Sequence, residues 1–275
     1  MDSTYKSLRI EKNDGVAELV LIGPGKGNSM GPDFWREMPE AIRALDSDDS
    51  IRVILVRGQG SHFTYGLDLM GMTESLGPLI MGEGNLALER TKLLKLIGDM
   101  QQATEGLARC QKPVLAAVQG WCIGGGLDLI AACDFRYCSQ DAKFSLREVK
   151  VGIVADLGSL QRLPRLIGEG NTREMAYTGM DVDADRALRM GLVNQVFPTH
   201  EALLAEARAT ARRIADNAPL VVQGAKQVMD YCADKSVADG LRYVAVWNSA
   251  FLQSHDLAEA FAAFAERRPP RFQGR

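Results

Sequence analysis

Short apolar runs recur along the first two thirds of the chain, and each has the length and the β-branched content typical of a buried strand. The runs cover residues 16–23, 51–58, 113–120 and 134–139. Helical patterns lie between them, notably over 31–48 and from 86 to 110. Strands that alternate with helices predict an α/β fold.

After residue 198 the pattern becomes entirely helical. Four segments with apolar faces follow one another, over residues 201–219, 221–234, 237–254 and 256–268. We therefore divide the chain into a core over 1–198 and a helical C-terminal region over 199–275. The apolar faces of that region either cover the core or pack against a second subunit.

The segment MTESLGPLIMGEGN (72–85) interrupts the alternation of strands and helices. It is rich in Gly and Met, and it lies between a predicted strand and a predicted helix. Long connections inside a compact domain are usually functional. We therefore expect residues 72–85 to form a mobile loop that serves as a lid.

Composition and charge narrow the class of protein. The 275 residues include 35 acidic and 32 basic side chains, and the absence of a basic stripe predicts no nucleic-acid partner. The five cysteines form no CxxC pair and mostly lie among apolar residues, as is typical of reduced core residues. The first fifteen residues lack the basic-then-apolar layout of a signal peptide. We therefore expect a cytoplasmic protein.

One apolar stretch, VLAAVQGWCIGGGLDLIAACDF (114–135), is long enough to suggest a membrane span. Gln119, Asp128 and three consecutive glycines interrupt it. A buried strand, a turn and a helix explain the stretch better. We expect no membrane partner.

Metal and nucleophile chemistry has little support in the sequence. The histidines are His62, His200 and His255, and none has another His or Cys at metal-ligand spacing. No histidine lies between residues 63 and 199, which argues against a Ser-His-Asp or Cys-His arrangement in the core. The glycines of GPGKGN (23–28) do not fit the GxGxxG pattern of dinucleotide-binding proteins.

Backbone N–H groups are the first remaining candidates for chemistry. Glycines 124–126 enter a predicted helix, and glycine lets the chain approach a ligand closely with its N–H groups exposed. Tight packing of the helix on a strand is the alternative explanation for these glycines. The segment FTYGLDL (63–69) can present a second N–H group near Tyr65 and Gly66. Two converging N–H groups would form an oxyanion hole.

Three acidic residues in apolar contexts are the second set of candidates: Asp128, Glu148 and Asp156. Each also has a plain structural explanation. Asp128 suits the first turn of a helix, Glu148 suits a solvated strand end, and Asp156 suits the N-cap of a helix that starts at residue 157.

The stretch KPVLAAVQGWCIGGGLDLIAACDFRYCSQDAKFSLREVKVGIVAD (112–156) resembles the core signature of the crotonase, or enoyl-CoA hydratase/isomerase, superfamily. SHFTYGLDL (61–69) is similar to its first oxyanion strand, and MGLVNQVFP (190–198) to its late signature. The three acids, in this order, resemble the dienoyl-CoA isomerase branch. Hydratases of the superfamily have Glu where Asp128 stands, and they generally have Gly where Asp156 stands.

The resemblance implies an architecture and a substrate. The architecture is a spiral of ββα units with an all-helical C-terminal oligomerisation region, assembled as a homo-trimer or hexamer. The substrate is an acyl-CoA thioester, and neither a metal nor a redox cofactor is needed. Two features depart from the usual pattern: Tyr65 stands where relatives have a small residue, and LIGPGKGNSM (21–30) replaces a more common N-R-P-like segment.

The resemblance also implies roles in the isomerisation of 3,5-dienoyl-CoA to 2,4-dienoyl-CoA. Asp156 would take a proton from C2, Glu148 would deliver one to C6, and Asp128 would help to keep a partner carboxyl protonated. The N–H groups of Tyr65 and Gly125 would bind the thioester oxygen. The expected substrate contacts are Gly66, Gly124 and Lys26.

Three other functions fit the same residues. An enoyl-CoA hydratase would use Asp128 and Glu148 on a water molecule. Hydrolytic or dehalogenating chemistry would use Asp156 as a nucleophile, although no histidine in the core could activate water for it. A non-enzymatic acyl-CoA binder or structural trimer would need none of the three acids.

Overall fold

The computed structural model describes residues 5–81 and 86–275, and every side chain within these ranges except that of Lys26. The predicted substrate contact of Lys26 therefore lies outside the described residues. The helices are α1 (Pro32–Asp46), α2 (Thr73–Met81), α3 (Leu86–Arg109), α4 (Gly125–Ala131), α5 (Ser159–Thr178), α6 (Ala184–Met190), α7 (His200–Ala215), α8 (Pro219–Cys232), α9 (Val237–Phe251) and α10 (His255–Glu266). The strands are β1 (Leu8–Asn13), β2 (Val16–Leu21), β3 (Val53–Gly58), β4 (Val114–Val118), β5 (Trp121–Ile123), β6 (Phe135–Ser139), β7 (Lys143–Ser145), β8 (Val182–Asp183) and β9 (Gln195–Phe197).

Two sheets organise the core. The larger has six strands in the order β1-β2-β3-β4-β6-β9, antiparallel between β1 and β2 and parallel elsewhere. The smaller has the order β5-β7-β8. Every residue of β3 and β4 is buried, as expected for parallel strands covered on both faces. The structure confirms the α/β prediction.

The chain steps from the large sheet to the small one between β4 and β5. Gly120 makes this turn with a φ of 53°, and a Cβ there would lie 2.2 Å from Ser61 O. Glycine is the residue that tolerates both the left-handed conformation and this close approach. The step brings β5, and the helix that follows it, next to the residues after β3.

The outer face of the large sheet is covered by α7. Leu203 and Ala207 pack against Leu55 and Leu115 of the sheet, and all four side chains are fully buried. Part of the helical C-terminal region therefore covers the core. The boundary at residue 198 drawn from the sequence stays a prediction.

The segment predicted as a loop over 72–85 is largely helical. Residues 73–81 form α2, and residues 82–85 lie outside the described residues. The prediction of a loop was wrong for 73–81, because it relied on the Gly and Met content of the segment and overlooked its apolar spacing. Leu76 and Ile80 stand four residues apart, on one face of a helix, and both line the cavity described below.

Candidate active site

The glycine triplet lies where β5 ends and α4 begins. Gly124 has a φ of 54°, and a Cβ there would lie 3.1 Å from Oε1 of Glu148. A Cβ on Gly126 would lie 2.5 Å from Cγ2 of Thr64. Tight packing therefore explains Gly126, whereas Gly124 serves the close approach of the backbone to a catalytic candidate.

A cavity of about 800 Å³ opens beside this turn. The three predicted acids all reach its lining, together with Gly124 and Gly125. Its walls are otherwise mainly apolar, and include Trp35, Leu67, Leu76, Ile80, Leu93, Ile97, Met100 and Leu157. The structure thus brings Asp128, Glu148 and Asp156 together in one apolar site of ligand size.

The N–H group predicted at Tyr65 is not free. It donates to Gly27 O at 2.8 Å, so it cannot also bind a substrate oxygen. The ring of Tyr65 packs over Gly27, where a Cβ would lie 2.1 Å from Cδ2 of the ring. The prediction of Tyr65 as an oxyanion donor is corrected by this hydrogen bond.

Leu67 offers the N–H group that sequence reasoning missed. It pairs with Met30 in a parallel bridge, in which Gly66 O accepts from Met30 N and Asp68 N donates to Met30 O. In such a bridge the N–H of the central residue points away from the partner strand. No residue in the described part of the chain accepts the N–H of Leu67 or of Gly125.

Gly66 brings these two segments together. Its φ is 80°, and a Cβ there would lie 2.6 Å from Ile123 O and 3.4 Å from Gly125 N. Its own N–H donates to Oγ1 of Thr64 at 3.0 Å. Gly66 therefore contributes through the turn that it makes. A glycine at this position is the sequence signal that could have identified Leu67, rather than Tyr65, as the donor.

Asp128 is 1% exposed, and its carboxyl group accepts a hydrogen bond from the start of α5. Its Oδ1 accepts the N–H of Ser159, the first residue of α5, at 2.6 Å. Burial raises the pKa of Asp128 to about 6, and the charge of Asp156 acts in the same direction. Asp128 is thus both a lining residue of the cavity and the acceptor for a helix start.

Glu148 begins a short 3₁₀ turn, Glu148–Val151, at the edge of the cavity. Burial raises its pKa to about 7, and the charges of Asp128 and Asp156 contribute to the rise. Its Oε2 is buried and has no hydrogen-bond partner among the described residues. A carboxyl group in this state can take up or release a proton near neutral pH.

Asp156 is half-buried, and its pKa is raised by burial. The sequence allowed it to be the N-cap of the following helix, but Gly158 holds that position and Asp128 accepts the first N–H. The structural alternative for Asp156 is therefore wrong. Its carboxyl group is therefore available to a ligand in the cavity.

We predict that Asp128→Asn and Asp128→Ala differ in stability. Asparagine keeps an oxygen for the N–H of Ser159 and should leave the melting temperature nearly unchanged. Alanine leaves that N–H unpaired in a buried place, which should cost about 1–3 kcal/mol. Thermal unfolding of both variants at equal protein concentration tests this, and equal losses in the two would contradict the capping role.

We also predict that Glu148→Gln stabilises the protein in a pH-dependent way. Because folding raises the pKa of Glu148 from 4.5 to about 7, ionisation penalises the folded wild type progressively between these values and fully above them. The variant should match the wild type near pH 4.5 and exceed its stability by about 1–3 kcal/mol at pH 8. Melting temperatures at both pH values measure this, and a constant difference would refute it.

Two features of the described residues bear on metals and membranes. No group of three or more His, Cys, Asp and Glu side chains there has the arrangement of a metal site. None of the described helices is long and apolar enough to cross a membrane.

Comparison with known proteins places the chain among acyl-CoA enzymes. It is 45% identical to the mitochondrial Delta(3,5)-Delta(2,4)-dienoyl-CoA isomerase of Dictyostelium discoideum, over 98% of this chain and 92% of that protein. It is 41% identical to the peroxisomal isomerase of the same name from Arabidopsis thaliana, over 98% of both chains. The crystal structure of an enoyl-CoA hydratase from Bacillus anthracis superposes with a TM-score of 0.87 at 28% identity, over 98% of this chain and 100% of that one.

These similarities confirm the crotonase-like architecture and the resemblance to the dienoyl-CoA isomerase branch that the three acids indicated. The family model for enoyl-CoA hydratase/isomerase matches residues 11–275, which is nearly the whole chain. The chain belongs to the enoyl-CoA hydratase/isomerase family.

Proposed function

We propose that this protein isomerises 3,5-dienoyl-CoA thioesters to 2,4-dienoyl-CoA thioesters, with neither a metal nor a redox cofactor. The observation that carries the proposal is the third acid, Asp156, in the same cavity as Asp128 and Glu148. Hydration needs acids around one water molecule near C2 and C3. Dienoyl isomerisation needs proton transfer at C2 and at C6, four bonds apart, and so needs acids at two places. The relatives named as dienoyl-CoA isomerases support the same activity.

The thioester oxygen would accept the N–H groups of Leu67 and Gly125. Both groups are free of other acceptors among the described residues, and Gly66 holds their segments together. Loss of a proton from C2 places negative charge on this oxygen and along the conjugated chain. Two preorganised donors stabilise that charge as it forms.

Glu148 is the better placed acid for C2. Its Oε1 lies close to Gly124, the residue before the donor Gly125, and C2 is bonded to the carbonyl carbon. Asp156 lies against α3, whose apolar residues form the wall for the acyl chain. We therefore assign proton removal at C2 to Glu148 and proton delivery at C6 to Asp156, the reverse of the order expected from the sequence.

Burial raises the pKa of all three carboxyl groups, so that the set keeps some of its protons near neutral pH, and the base and the acid are assigned from the geometry. The C2–H bond breaks as Glu148 takes the proton, the electron pair moves through the diene, and the new C–H bond forms at C6 with the proton of Asp156. The reaction must therefore start with Glu148 ionised and Asp156 protonated. In this state the two carboxyl groups together carry one proton. Repulsion within the set, to which Asp128 adds, favours such a half-ionised state.

We predict that isotope exchange separates the two steps. In D₂O, Asp156→Asn should still exchange hydrogen at C2 of 3,5-dienoyl-CoA, because Glu148 and the N–H groups are intact. Its rate of 2,4-dienoyl-CoA formation should fall by roughly 10²-fold or more. Glu148→Gln should lose both exchange and isomerisation by roughly 10²–10⁴-fold, with little change in thioester binding.

Mass spectrometry of recovered substrate measures the exchange, and the absorbance of the conjugated product measures isomerisation. Exchange that survives in Glu148→Gln but not in Asp156→Asn would reverse the two roles. An unchanged isomerase rate in Asp156→Asn would remove Asp156 from the mechanism. Faster hydration of crotonyl-CoA than isomerisation by the wild type would favour the hydratase.

We further propose that the chain assembles as a homo-trimer, or as a hexamer of two trimers. Large apolar side chains of α9 and α10 are exposed, among them Val237, Leu241, Val246, Phe261 and Phe264. Patches of this kind mark interfaces with other protein. The cytoplasmic location expected from the sequence remains a prediction, and the names of the relatives place those proteins in mitochondria and peroxisomes.

We predict that light scattering of the purified protein gives three or six times the subunit mass of 30.0 kDa. The exposed apolar faces of α9 and α10 would then be covered by neighbouring subunits. A monodisperse monomer at micromolar concentration would contradict the assembly. The measurement uses all 275 residues, because α7 packs on the large sheet and a chain that ends before α7 would lose part of its core.

A further inference from the structure

The backbone that carries Asp156 is tied to α3 by two side chains. Nε2 of Gln101 donates to Asp156 O at 2.7 Å, and Oγ1 of Thr104 donates to Leu157 O at 2.7 Å. Both bonds join groups more than fifty positions apart in the chain. The turn before α5 is thus fixed at two successive carbonyl groups.

A third tie holds the far end of the same turn. Ser159 N donates to Oδ1 of Asp128, which belongs to α4. Residue 156 therefore lies at one end of a four-residue segment whose two ends are attached to two different helices. Among the described residues, no group of another element holds the carboxyl group of Asp156, which hydrogen-bonds to its own backbone. The position of that carboxyl group is set through its own backbone.

The helix that holds Asp156 is also a wall of the cavity. Leu93, Ile97 and Met100 line the cavity, and Gln101 and Thr104 continue the same stripe at helical spacing. Helix α3 therefore carries both the apolar wall for the acyl chain and the two side chains that bind the backbone of residues 156 and 157. A proton is transferred efficiently only when donor and acceptor are aligned, and misplacement by about 1 Å can cost roughly 10²-fold in rate.

We propose that Gln101 is a positioning residue for the isomerisation: its side-chain amide holds the Asp156 backbone so that the carboxyl group meets the far end of the conjugated diene. The proposal rests on the proposed role of Asp156. Gln101 touches neither proton, and its effect on the reaction passes through Asp156 alone.

The neighbouring residue provides a matched control. Gln102 is exposed, and its side chain donates only to Gly98 O of its own helix, at 3.4 Å. Among the described residues, its side chain makes no hydrogen bond to the turn that carries Asp156. Substitution of either glutamine by methionine keeps the length of the side chain and good helix propensity, and removes the amide.

The first measurement compares Gln101→Met with Gln102→Met on 3,5-dienoyl-CoA. Gln101→Met should lower kcat by roughly 10-fold to 10²-fold, because Asp156 is no longer held in place. KM should change by no more than about twofold, because the apolar wall remains. Gln102→Met should behave as the wild type. A wild-type kcat in Gln101→Met would overturn the proposal.

The second measurement separates positioning from general damage by a double-mutant cycle. In the Asp156→Asn background, Gln101→Met should cause no further loss of the residual rate, because the group that it positions is already disabled. An equal fractional loss in both backgrounds would overturn the proposal. A full isomerase rate in Asp156→Asn alone would instead remove the proposed role of Asp156, so the two failures are distinguishable.

Thr104→Val serves as a second variant if Gln101→Met folds poorly. Valine has the shape of threonine and removes only the hydroxyl group, which hydrogen-bonds to Leu157 O and to Gln101 O of its own helix. It should lower kcat in the same direction, and the loss should again disappear in the Asp156→Asn background. A loss that persists there would overturn the proposal for the ties to α3.

Discussion

The removal of carboxyl groups from water is the constraint on which the site depends. Asp128, Glu148 and Asp156 share one mainly apolar cavity, and burial raises the pKa of each. Burial of an ionised carboxylate is costly, and a second or third charge nearby increases the cost. The arrangement of lowest free energy is one in which the three carboxyl groups keep some of their protons. That state provides both a base and an acid in one site.

Backbone geometry provides the complementary half of the chemistry. The left-handed Gly66 brings its segment so close to Ile123 that no side chain would fit between them, and the left-handed Gly124 lets Glu148 approach the backbone closely. Among the described residues, no group accepts the N–H groups of Leu67 and Gly125. Donors fixed in this way need no reorganisation when charge develops on the substrate oxygen. The acids transfer protons, and the main-chain N–H groups stabilise the negative charge that this transfer creates on the substrate oxygen.

Much of this arrangement could be read from the sequence, because it depends on local patterns. The strands β2, β3, β4 and β6 and most helices follow from apolar periodicity, whereas β1, β5, β7, β8 and β9 were not predicted. The three acids stand out because their neighbours are apolar. Tyr65 was misjudged because the direction of an N–H group depends on backbone dihedral angles, which the letters FTYGLDL do not state. The role of Asp128 in α5 was missed because it joins residues 31 positions apart. Helix α2 was missed because the Gly and Met content of its segment was given more weight than the helical spacing of Leu76 and Ile80, which both line the cavity.

The use of main-chain donors has a consequence for how the protein tolerates mutation. Any residue except proline supplies an N–H group at position 67, so its side chain is free to reshape the cavity without loss of the donor. The information that maintains the donor lies instead in Gly66, which supplies no atom to the reaction. Substrate range can therefore drift by single substitutions at 67, whereas a single added methyl group at 66 would remove the site.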